Sequence, residues 1–293
     1  MSAKDIMKTV ETVAIMGAGV MGSGIAQVCS QSGLNVNLVD ISNEILSKSI
    51  SRIHKNLKRL ASEGKTSAES VEEALGRIHR FTDLTQAVRE ADLVIESVPE
   101  KQDLKVRLFA ELDKTARADA VLVSNTSSVS IAELAAATTR RERVIGIHFF
   151  NPVAVSAGVE LIRIADTSEQ TMAIAKGFLQ EIGKQPIVVK DSPGFLINRL
   201  LPLLVNESLH LLQEGIASAE EIDKACTMIL KHPIGPLRMA DLAGLDTVLY
   251  VLEYMHEKFG VKYRPCSLLQ QMVDEGRHGR KTGEGVYKYE GTE

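Results

Sequence analysis

The sequence predicts an α/β protein in which a doubly wound, mostly parallel sheet is followed by an all-helical C-terminal domain. From residue 12 to about residue 189, short β-branched runs alternate with helical patterns, which is typical of a sheet covered by helices on both faces. After residue 190 the strand patterns stop, while helical patterns continue. We therefore expect a first domain at residues 1–189 and a second domain at residues 190–293.

The strands are predicted from short apolar runs that are bounded by polar or glycine-containing segments. Runs such as Leu93-Val94-Ile95 are apolar at consecutive positions, which indicates a parallel strand that is buried on both faces. The predicted strands cover residues 12–16, 35–39, 78–81, 93–97, 121–124, 144–147, 159–164 and 186–189. Helices are expected between most of them, for example at residues 22–32, 102–114 and 130–137.

In the second domain, the sequence contains patterns typical of helices only. Asp191-Ser192-Pro193 predicts a helix start for a helix that reaches residue 213 and is apolar around most of its circumference. Pro202 lies inside this helix and is expected to kink or break it. Ser218 begins a capping box for the next helix. Two further helices are predicted at residues 245–259 and 267–275.

Composition limits the classes of function. The chain has 34 basic and 38 acidic residues and a formal charge of −4, so no global basic field favours nucleic acid. The N-terminal segment lacks the apolar core of a signal peptide. No apolar run approaches the ~20 residues of a membrane helix, so we expect no membrane partner. The three cysteines and seven histidines are dispersed, which predicts no metal site and favours the cytoplasm.

A glycine-rich turn directly follows the first predicted strand. The segment reads Gly17-Ala18-Gly19-Val20-Met21-Gly22, and Asp40 stands at the end of the second strand. Strand, glycine motif, helix and acid in this order are typical of a Rossmann-type dinucleotide site. Gly17 would allow the tight turn, Gly19 would let the pyrophosphate approach, and Gly22 would let the helix pack on the strand. Asp40 would bind a ribose hydroxyl and repel a 2′-phosphate, which predicts NAD as the cofactor rather than NADP.

A histidine and a glutamate are expected on neighbouring strand ends. His148 follows the apolar run at residues 144–147, and Glu160 stands near the start of the next strand, at residues 159–164. A carboxylate that hydrogen-bonds an imidazole positions it as a proton acceptor. An isolated histidine–glutamate pair of this kind is more often a structural hydrogen bond in the protein core. Here the pair lies downstream of a dinucleotide motif, which favours a catalytic role.

Polar clusters follow two further strands, at the edge where doubly wound sheets bind ligands. Glu100 follows one strand, with Lys105 one helical turn later, and Ser127 follows another. Ser130 already caps the next helix, so a substrate contact is the better interpretation for Ser127. For Glu100 and Lys105, a cofactor contact and an ordinary surface pair are equally open.

Residues 44–65 predict a locally basic helix. Its acids are Glu44 and Glu63, and its basic residues are Lys48, Arg52, Lys55, Lys58, Arg59 and Lys65. Such a helix could bind a polyphosphate separate from that of the dinucleotide, for instance that of coenzyme A, with Arg52 and Asn56 as candidate contacts. A solvated charged face is an equally open interpretation.

Longer segments resemble those of the L-3-hydroxyacyl-CoA dehydrogenase family, above all its short bacterial-type members. The resemblance extends over nearly the whole chain and includes Asp40 and Glu160. Its motifs are GAGVMGSGIAQ, VIESVPE, NTSS, HFFNP, DSPGFLINRL, HPIGPLRMADLAGLD and GRKTGEGVYKY. It implies reversible oxidation of an L-3-hydroxyacyl-CoA, such as 3-hydroxybutyryl-CoA, within fatty acid or butyrate metabolism. It also implies a homodimer formed through the helical domain, with coenzyme A over the basic helix.

The same resemblance implies roles for single residues. His148 would be the catalytic base and Glu160 its orienting partner, while Ser127 and Asn198 would hydrogen-bond the reacting oxygen of the substrate. Asn151 would hold the active-site loop. The residues implied to lie near the nicotinamide nucleotide are Glu100, Lys105, Ser127, Asn151 and Lys281.

Two alternative functions are compatible with parts of the sequence. The lysine-using β-hydroxyacid dehydrogenases share the domain plan, but no lysine lies between Asp191 and Asn198, where their pattern places one. λ-Crystallin, a lens protein linked to L-gulonate oxidation, resembles the family but differs around the histidine, where this chain has Phe149-Phe150. One departure from the family is Ser156-Ala157-Gly158, which replaces a Met-Lys-Leu-like triplet beside Glu160.

Overall fold

The computed structural model describes residues 10–289 and confirms the predicted fold class. Its contacts divide the chain into two compact units, Met1–Phe195 and Leu196–Glu293. This boundary lies later than the one placed after residue 189 from the sequence. The last strand includes Lys190, and Phe195 is buried in an apolar cluster of the first unit, which keeps the intervening turn with that unit.

The first unit contains one sheet of eight strands. They are β1 Thr12–Met16, β2 Asn35–Val39, β3 Ile78–Phe81, β4 Leu93–Glu96, β5 Val121–Ser124, β6 Val144–His148, β7 Gly158–Arg163 and β8 Gln185–Lys190. Their order in the sheet is β3-β2-β1-β4-β5-β6-β7-β8. Every neighbouring pair is parallel except β6 and β7, which run antiparallel. All eight predicted strands exist, with differences of one residue at some ends.

The strand order reverses between β1 and β4, and this creates the crevice in which such sheets bind ligands. The carboxyl ends of the parallel strands meet at this edge. Helices cover both faces of the sheet. This is visible in β1, where Val13 and Ile15 belong to the apolar cluster on one face and Ala14 and Met16 to the cluster on the other. The helices of this unit are α1 Val20–Gln31, α2 Asn43–Ser62, α3 Ala68–Gly76, α4 Leu84–Val88, α5 Gln102–Thr115, α6 Ile131–Ala136 and α7 Glu169–Glu181.

The second unit is built from helices, as predicted, and its described part adds only isolated β-bridges at residues 279–288. Its helices are α8 Ile197–Gln213, α9 Ala219–Met228, α10 Pro236–Ala243, α11 Leu245–Phe259 and α12 Ser267–Asp274. They share an apolar core to which α8 contributes Val205 and Leu209. Helix α8 continues through Pro202 and does not break there. The Ser218 side chain caps α9 by accepting from the Glu221 N–H, as the capping box predicted.

The predicted helix start at Asp191-Ser192-Pro193 is wrong. The chain turns there, with positive φ angles of 71° at Gly194 and 48° at Phe195, and the helix begins only at Ile197. The Asp191 carboxylate accepts hydrogen bonds from Ser130 Oγ (2.7 Å) and from the Ala132 N–H (2.9 Å). It therefore stabilises the start of α6, a long-range contact that a local helix signal cannot reveal.

Helix α10 was missed, although Pro236 at its first position is a local signal for a helix start. The N-terminus of α10 is capped by a residue of α9, because the Asp223 carboxylate accepts hydrogen bonds from the N–H groups of Leu237 (2.8 Å) and Arg238 (3.1 Å). Within residues 10–289, no helix combines the length and apolar character needed to cross a bilayer.

Candidate active site

The glycine turn between β1 and α1 has the close packing that a dinucleotide site requires. Gly17 has a φ of 102°, and a Cβ placed there would lie 2.5 Å from the Ser97 carbonyl oxygen. A Cβ on Gly22 would lie 1.8 Å from the carbonyl oxygen of Gly17 and 3.5 Å from Ile15 Cγ2. A side chain at either position would clash with the backbone, so both positions require glycine.

Gly19 has the opposite environment. No described heavy atom lies within 4 Å of the position that its Cβ would take. Gly19 is also the N-cap of α1, which has neither a side-chain cap nor an acid in its first turn. The backbone can therefore approach a ligand closely, and the helix N-terminus offers N–H groups and partial positive charge to an anion. These residues fit a pyrophosphate.

Asp40 is held at the rim of the same turn. Its Oδ2 accepts a hydrogen bond from the Ala18 N–H at 2.7 Å, and its Oδ1 accepts from the Ile41 N–H at 2.8 Å. The carboxylate follows β2 directly. Its position suits an acceptor for a ribose hydroxyl beside the glycine turn, with Val20 and Met21 on the same cavity wall.

A cavity of about 1170 Å³ opens at the carboxyl edge of the sheet. Single drug-sized ligands occupy pockets of roughly 300–1,000 Å³, so this cavity has room for a dinucleotide. Its walls bring together residues that lie at or just beyond the carboxyl ends of β1, β2, β4, β5 and β6. They include Gly17, Gly19, Asp40, Glu100, Ser127 and His148.

His148 and Glu160 form the hydrogen-bonded pair that the sequence predicted. They face each other across the antiparallel β6–β7 ladder, and His148 Nδ1 lies 2.7 Å from Glu160 Oε2. The Glu160 side chain is fully buried, and that of His148 is 9% exposed. A carboxylate on Nδ1 fixes the ring orientation and stabilises the protonated ring, which leaves Nε2 to exchange a proton with a ligand.

Aromatic rings enclose the imidazole. The ring of Phe150 lies 4.5 Å from that of His148 between centroids, and the ring of Phe195 lies 5.8 Å away. Among the described residues, Glu160 is the partner that hydrogen-bonds the imidazole. The pair is buried, and His148 also lines the cavity. A histidine with a purely structural role in the core would not need to lie beside a cavity.

Glu100 organises the loop that follows β5. Its Oε1 accepts from the N–H groups of Ser127 (2.9 Å) and Ser128 (2.8 Å), and it contacts the hydroxyl oxygens of Thr126 (2.5 Å), Ser127 (3.2 Å) and Ser128 (2.8 Å). Burial alone would raise the pKa of Glu100, but the Lys105 ammonium and the hydroxyl donors outweigh burial and lower it from 4.5 to about 2. The carboxylate is therefore charged and fixed at neutral pH.

Lys105 is not part of an ordinary surface pair, because its side chain is only 1% exposed. Its Nζ contacts Glu96 Oε1 (2.5 Å), Glu100 Oε2 (3.0 Å) and the Val98 carbonyl oxygen (3.3 Å). An ammonium has three N–H donors, so these contacts use all of them. The surface alternative for this pair is wrong, and Lys105 acts on the cavity wall through Glu100.

Two residues were missed as site residues: Glu96, which lies behind the cavity wall, and Asn125, which lines it. Glu96 is fully buried and accepts from Lys105 and from Ser124 Oγ (2.6 Å); burial raises its pKa even though the Lys105 ammonium opposes that shift. Asn125 accepts from the Phe149 N–H at 2.9 Å and thereby ties the loop after β5 to the loop after His148. An acid inside the apolar run of β4 was the available signal for Glu96.

The basic helix α2 begins after the Ser42 cap and ends at Ser62, earlier than predicted. Its pairs Lys48–Glu44 and Arg59–Glu63 use the two acids of the segment. Arg52 donates to Ser23 Oγ of α1 at 3.0 Å, and Asn56 donates to Gln27 Oε1 at 3.2 Å. Within residues 10–289, Arg52, Lys55 and Lys58 have no acidic partner, so a positive strip remains on this helix.

The remaining candidates are placed as follows. Asn151 lies on the loop after His148, in an exposed position before a cis peptide bond to Pro152. Asn198 is the second residue of α8, and Lys281 pairs with Asp246 Oδ1 at 2.6 Å. Asn198 and Lys281 belong to the second unit.

Residues 12–192 match the NAD-binding domain of 3-hydroxyacyl-CoA dehydrogenases, and residues 194–289 match the C-terminal domain of the same family. The chain belongs to the 3-hydroxyacyl-CoA dehydrogenase family. This confirms the resemblance, and it identifies NAD as the cofactor for which the glycine turn and Asp40 are suited.

Several known members of this family are similar to the chain over nearly its whole length. A probable 3-hydroxybutyryl-CoA dehydrogenase of Deinococcus radiodurans is 44% identical over 94% of this chain and 99% of that protein. The mitochondrial hydroxyacyl-coenzyme A dehydrogenase of Sus scrofa is 40% identical over 98% and 93%. The crystal structure of (S)-3-hydroxybutyryl-CoA dehydrogenase from Ralstonia eutropha is 46% identical, covers 97% of this chain and 100% of that one, and superimposes with a TM-score of 0.91.

Proposed function

We propose that this protein catalyses the reversible NAD-dependent oxidation of L-3-hydroxyacyl-CoA to 3-ketoacyl-CoA, with the four-carbon 3-hydroxybutyryl-CoA as a substrate. The observation that carries the proposal is the His148–Glu160 pair at 2.7 Å, beside a cavity that begins at a dinucleotide-binding turn. Family membership narrows the chemistry to acyl-CoA thioesters.

In the proposed mechanism, His148 removes the proton of the C3 hydroxyl group during oxidation. NAD, when bound, supplies the chemistry of accepting a hydride from C3. Glu160 holds the imidazole through Nδ1 and stabilises the positive charge that the ring acquires. Ser127 and Asn198 are proposed to orient the substrate oxygen, whose charge changes during the reaction. In the reductive direction, His148 returns the proton to the carbonyl oxygen.

The test is a comparison of two assays on the purified protein. We expect oxidation of NADH with acetoacetyl-CoA, and little or no reduction of NAD with L-gulonate. Activity with gulonate alone would instead support the λ-crystallin-like alternative. A series of 3-ketoacyl-CoA thioesters with longer chains would then define the acyl preference beside the Ser156-Ala157-Gly158 segment.

Replacing Asp40 with serine should weaken the preference for NADH over NADPH by at least about tenfold. The carboxylate at the rim of the glycine turn repels a 2′-phosphate, and juxtaposed like charges cost several kcal/mol. The measurement is the ratio of kcat/KM for the two cofactors with acetoacetyl-CoA. Asp166→Ser, a substitution of an exposed acid after β7, is the matched control and should leave the ratio unchanged. An unchanged ratio in Asp40→Ser would contradict the role of Asp40.

We propose that the positive strip of α2 binds the phosphates of coenzyme A. Arg52→Met should then raise KM for acetoacetyl-CoA about two- to fivefold, because an exposed ion pair contributes ~0.2–1 kcal/mol. KM for a truncated acetoacetyl thioester without the nucleotide should not change. Arg59→Met on the same helix removes a charge that is already paired with Glu63 and serves as the control. Equal effects on both substrates would point to a solvated face.

We also propose a homodimer formed through the helical unit, in the cytoplasm, with a role in fatty acid or butyrate metabolism. Support for the dimer comes from large apolar side chains on this unit that are more than half exposed in the single chain, among them Leu200, Ile216, Ile229 and Tyr250. Support for a reducing compartment comes from Cys29, Cys226 and Cys266, all of which are unpaired thiols.

A further inference from the structure

Lys184 is a buried lysine outside the cavity wall and directly before β8. It is 6% exposed, and its backbone N–H donates to the Leu179 carbonyl oxygen of α7 at 2.7 Å. Its Nζ donates to two further carbonyl oxygens, that of Val153 at 2.5 Å and that of Ser156 at 2.6 Å. Lys184 therefore contacts the end of α7 through its backbone and the loop at residues 149–157 through its side chain.

No ion pair connects Lys184 to an acid in the described part of the chain, and burial lowers the pKa of its amino group. A buried charge that is compensated only by carbonyl dipoles is unfavourable for folding compared with an apolar side chain of similar volume. A lysine at this position therefore calls for a reason other than stability.

The loop that Lys184 holds connects the two members of the proposed catalytic pair. It begins after His148, ends before β7 and precedes Glu160 by a few residues. Its anchors are mostly backbone groups: the Phe149 N–H donates to Asn125 Oδ1, and the Ala157 carbonyl oxygen accepts from the Gln185 N–H at 2.8 Å.

One side-chain contact completes the anchoring. Val153 packs so tightly on α1 that a Cβ at Gly24 would lie 2.9 Å from Val153 Cγ2. At its middle the loop is thus fixed between α1 on one side and the Lys184 ammonium on the other.

We propose that Lys184 is a positioning residue for the reaction: its ammonium clamps the carbonyl groups of Val153 and Ser156 and thereby fixes the loop that aligns His148 with Glu160. The clamp acts on backbone atoms alone. This explains why the side chains of Ser156, Ala157 and Gly158 can differ from those usual in the family while the spacing to Glu160 is kept. The kinetic part of this inference rests on the proposed function, whereas the structural part does not.

The test is Lys184→Met, which preserves the length of the side chain and removes its donors. We expect kcat for acetoacetyl-CoA reduction to fall about 10- to 100-fold, since misplacement of catalytic groups by ~1 Å can cost that much. The Kd of NADH, measured by fluorescence, should not change, and the melting temperature should be unchanged or higher. Amide hydrogen exchange should accelerate in residues 149–157 and nowhere else in the first unit.

Two further variants make the result specific. Lys176→Met makes the same substitution at an exposed residue of α7 that takes no part in the clamp, and this variant should behave like the unmodified protein. Lys184→Gln, which can donate to one carbonyl group, should retain a kcat between those of Lys184→Met and the unmodified protein. The proposal would be overturned if Lys184→Met changed neither kcat nor amide hydrogen exchange in residues 149–157. It would also be overturned if both Lys184 variants failed to fold. An unmodified protein without activity on any 3-ketoacyl-CoA would instead overturn the proposed function, while the exchange experiment would still test the clamp.

Discussion

Replacing His148 with glutamine should lower kcat for acetoacetyl-CoA reduction by at least about 10²- to 10⁴-fold, the range that general acid–base catalysis contributes. Glutamine occupies a similar volume and can still hydrogen-bond Glu160, but it cannot exchange a proton at the position of Nε2. The loss should appear in kcat and kcat/KM together, because the interaction with the transferred proton exists only in the transition state. Steady-state kinetics with saturating NADH measure it directly.

The control for this variant is His79→Gln, which makes the same change at an exposed residue of β3. It should have normal kinetics. The Kd of NADH and the unfolding transition of His148→Gln should also match those of the unmodified protein. Turnover near the normal value in His148→Gln would exclude this histidine as the base, whatever its distance from Glu160.

Replacing Lys105 with methionine should destabilise the first unit by ~3–5 kcal/mol at neutral pH, the loss usual when one partner of a buried ion pair is removed. The Glu96 side chain is fully buried and that of Glu100 is 28% exposed, so the substitution leaves two neighbouring carboxylates without their shared cation. Urea unfolding at neutral pH measures the loss. NADH binding should weaken as well, because Glu100 then no longer holds the Thr126–Ser128 loop in place.

The destabilisation should depend on pH in a defined direction. Lys105 is the largest of the causes that lower the pKa of Glu100, to about 2 from its usual 4.5. A group with a lowered folded-state pKa contributes stability above its unfolded pKa and loses it as the pH falls through the folded pKa. In the protein with Lys105, ionised Glu100 therefore contributes stability above about pH 4.5, and this contribution is lost toward pH 2. The difference between the two proteins should be largest at neutral pH and should shrink as the pH falls below 4.5.

Two variants separate charge from packing in this experiment. Lys114→Met replaces an exposed lysine of the same helix and should change stability little. Glu96→Gln combined with Lys105→Met removes one of the uncompensated charges and should recover part of the lost free energy of unfolding. A Lys105→Met protein with full stability, or one whose deficit grows in acid, would contradict the charge network described for this wall.

The sheet could be predicted because its strands are short apolar runs with glycine or polar boundaries, and all eight of them exist. The pair of His148 and Glu160 was also accessible, since adjacent strands bring residues at this spacing together. The helix start at Asp191 was wrong because its carboxylate caps a helix that lies about 60 residues earlier in the chain. Sequence patterns report local preference, and this contact is long-range.

The charge network around Lys105 is a second example of a feature that could not be predicted in full from the sequence. Lys105 and Glu100 were recognised as a pair, whereas the local signal for Glu96, an acid at the end of a buried apolar strand, does not show that Glu96 would be the third member. Lys184 likewise has an ordinary charged side chain in the sequence and becomes distinctive only when its burial is known. Burial of a charge depends on how elements pack, so these residues emerge only from the three-dimensional arrangement.

The antiparallel ladder between β6 and β7 has a consequence for how this protein can vary. Successive side chains of a strand point to opposite faces, so a slip by one residue would turn Glu160 away from His148. In the loop joining the strands, the side chains of Ser156 and Ala157 can therefore vary, provided that the pairing of the ladder and the Lys184 contacts to the loop backbone are kept. By contrast, we expect a single-residue insertion or deletion inside either strand to abolish activity, because it would separate Glu160 from His148.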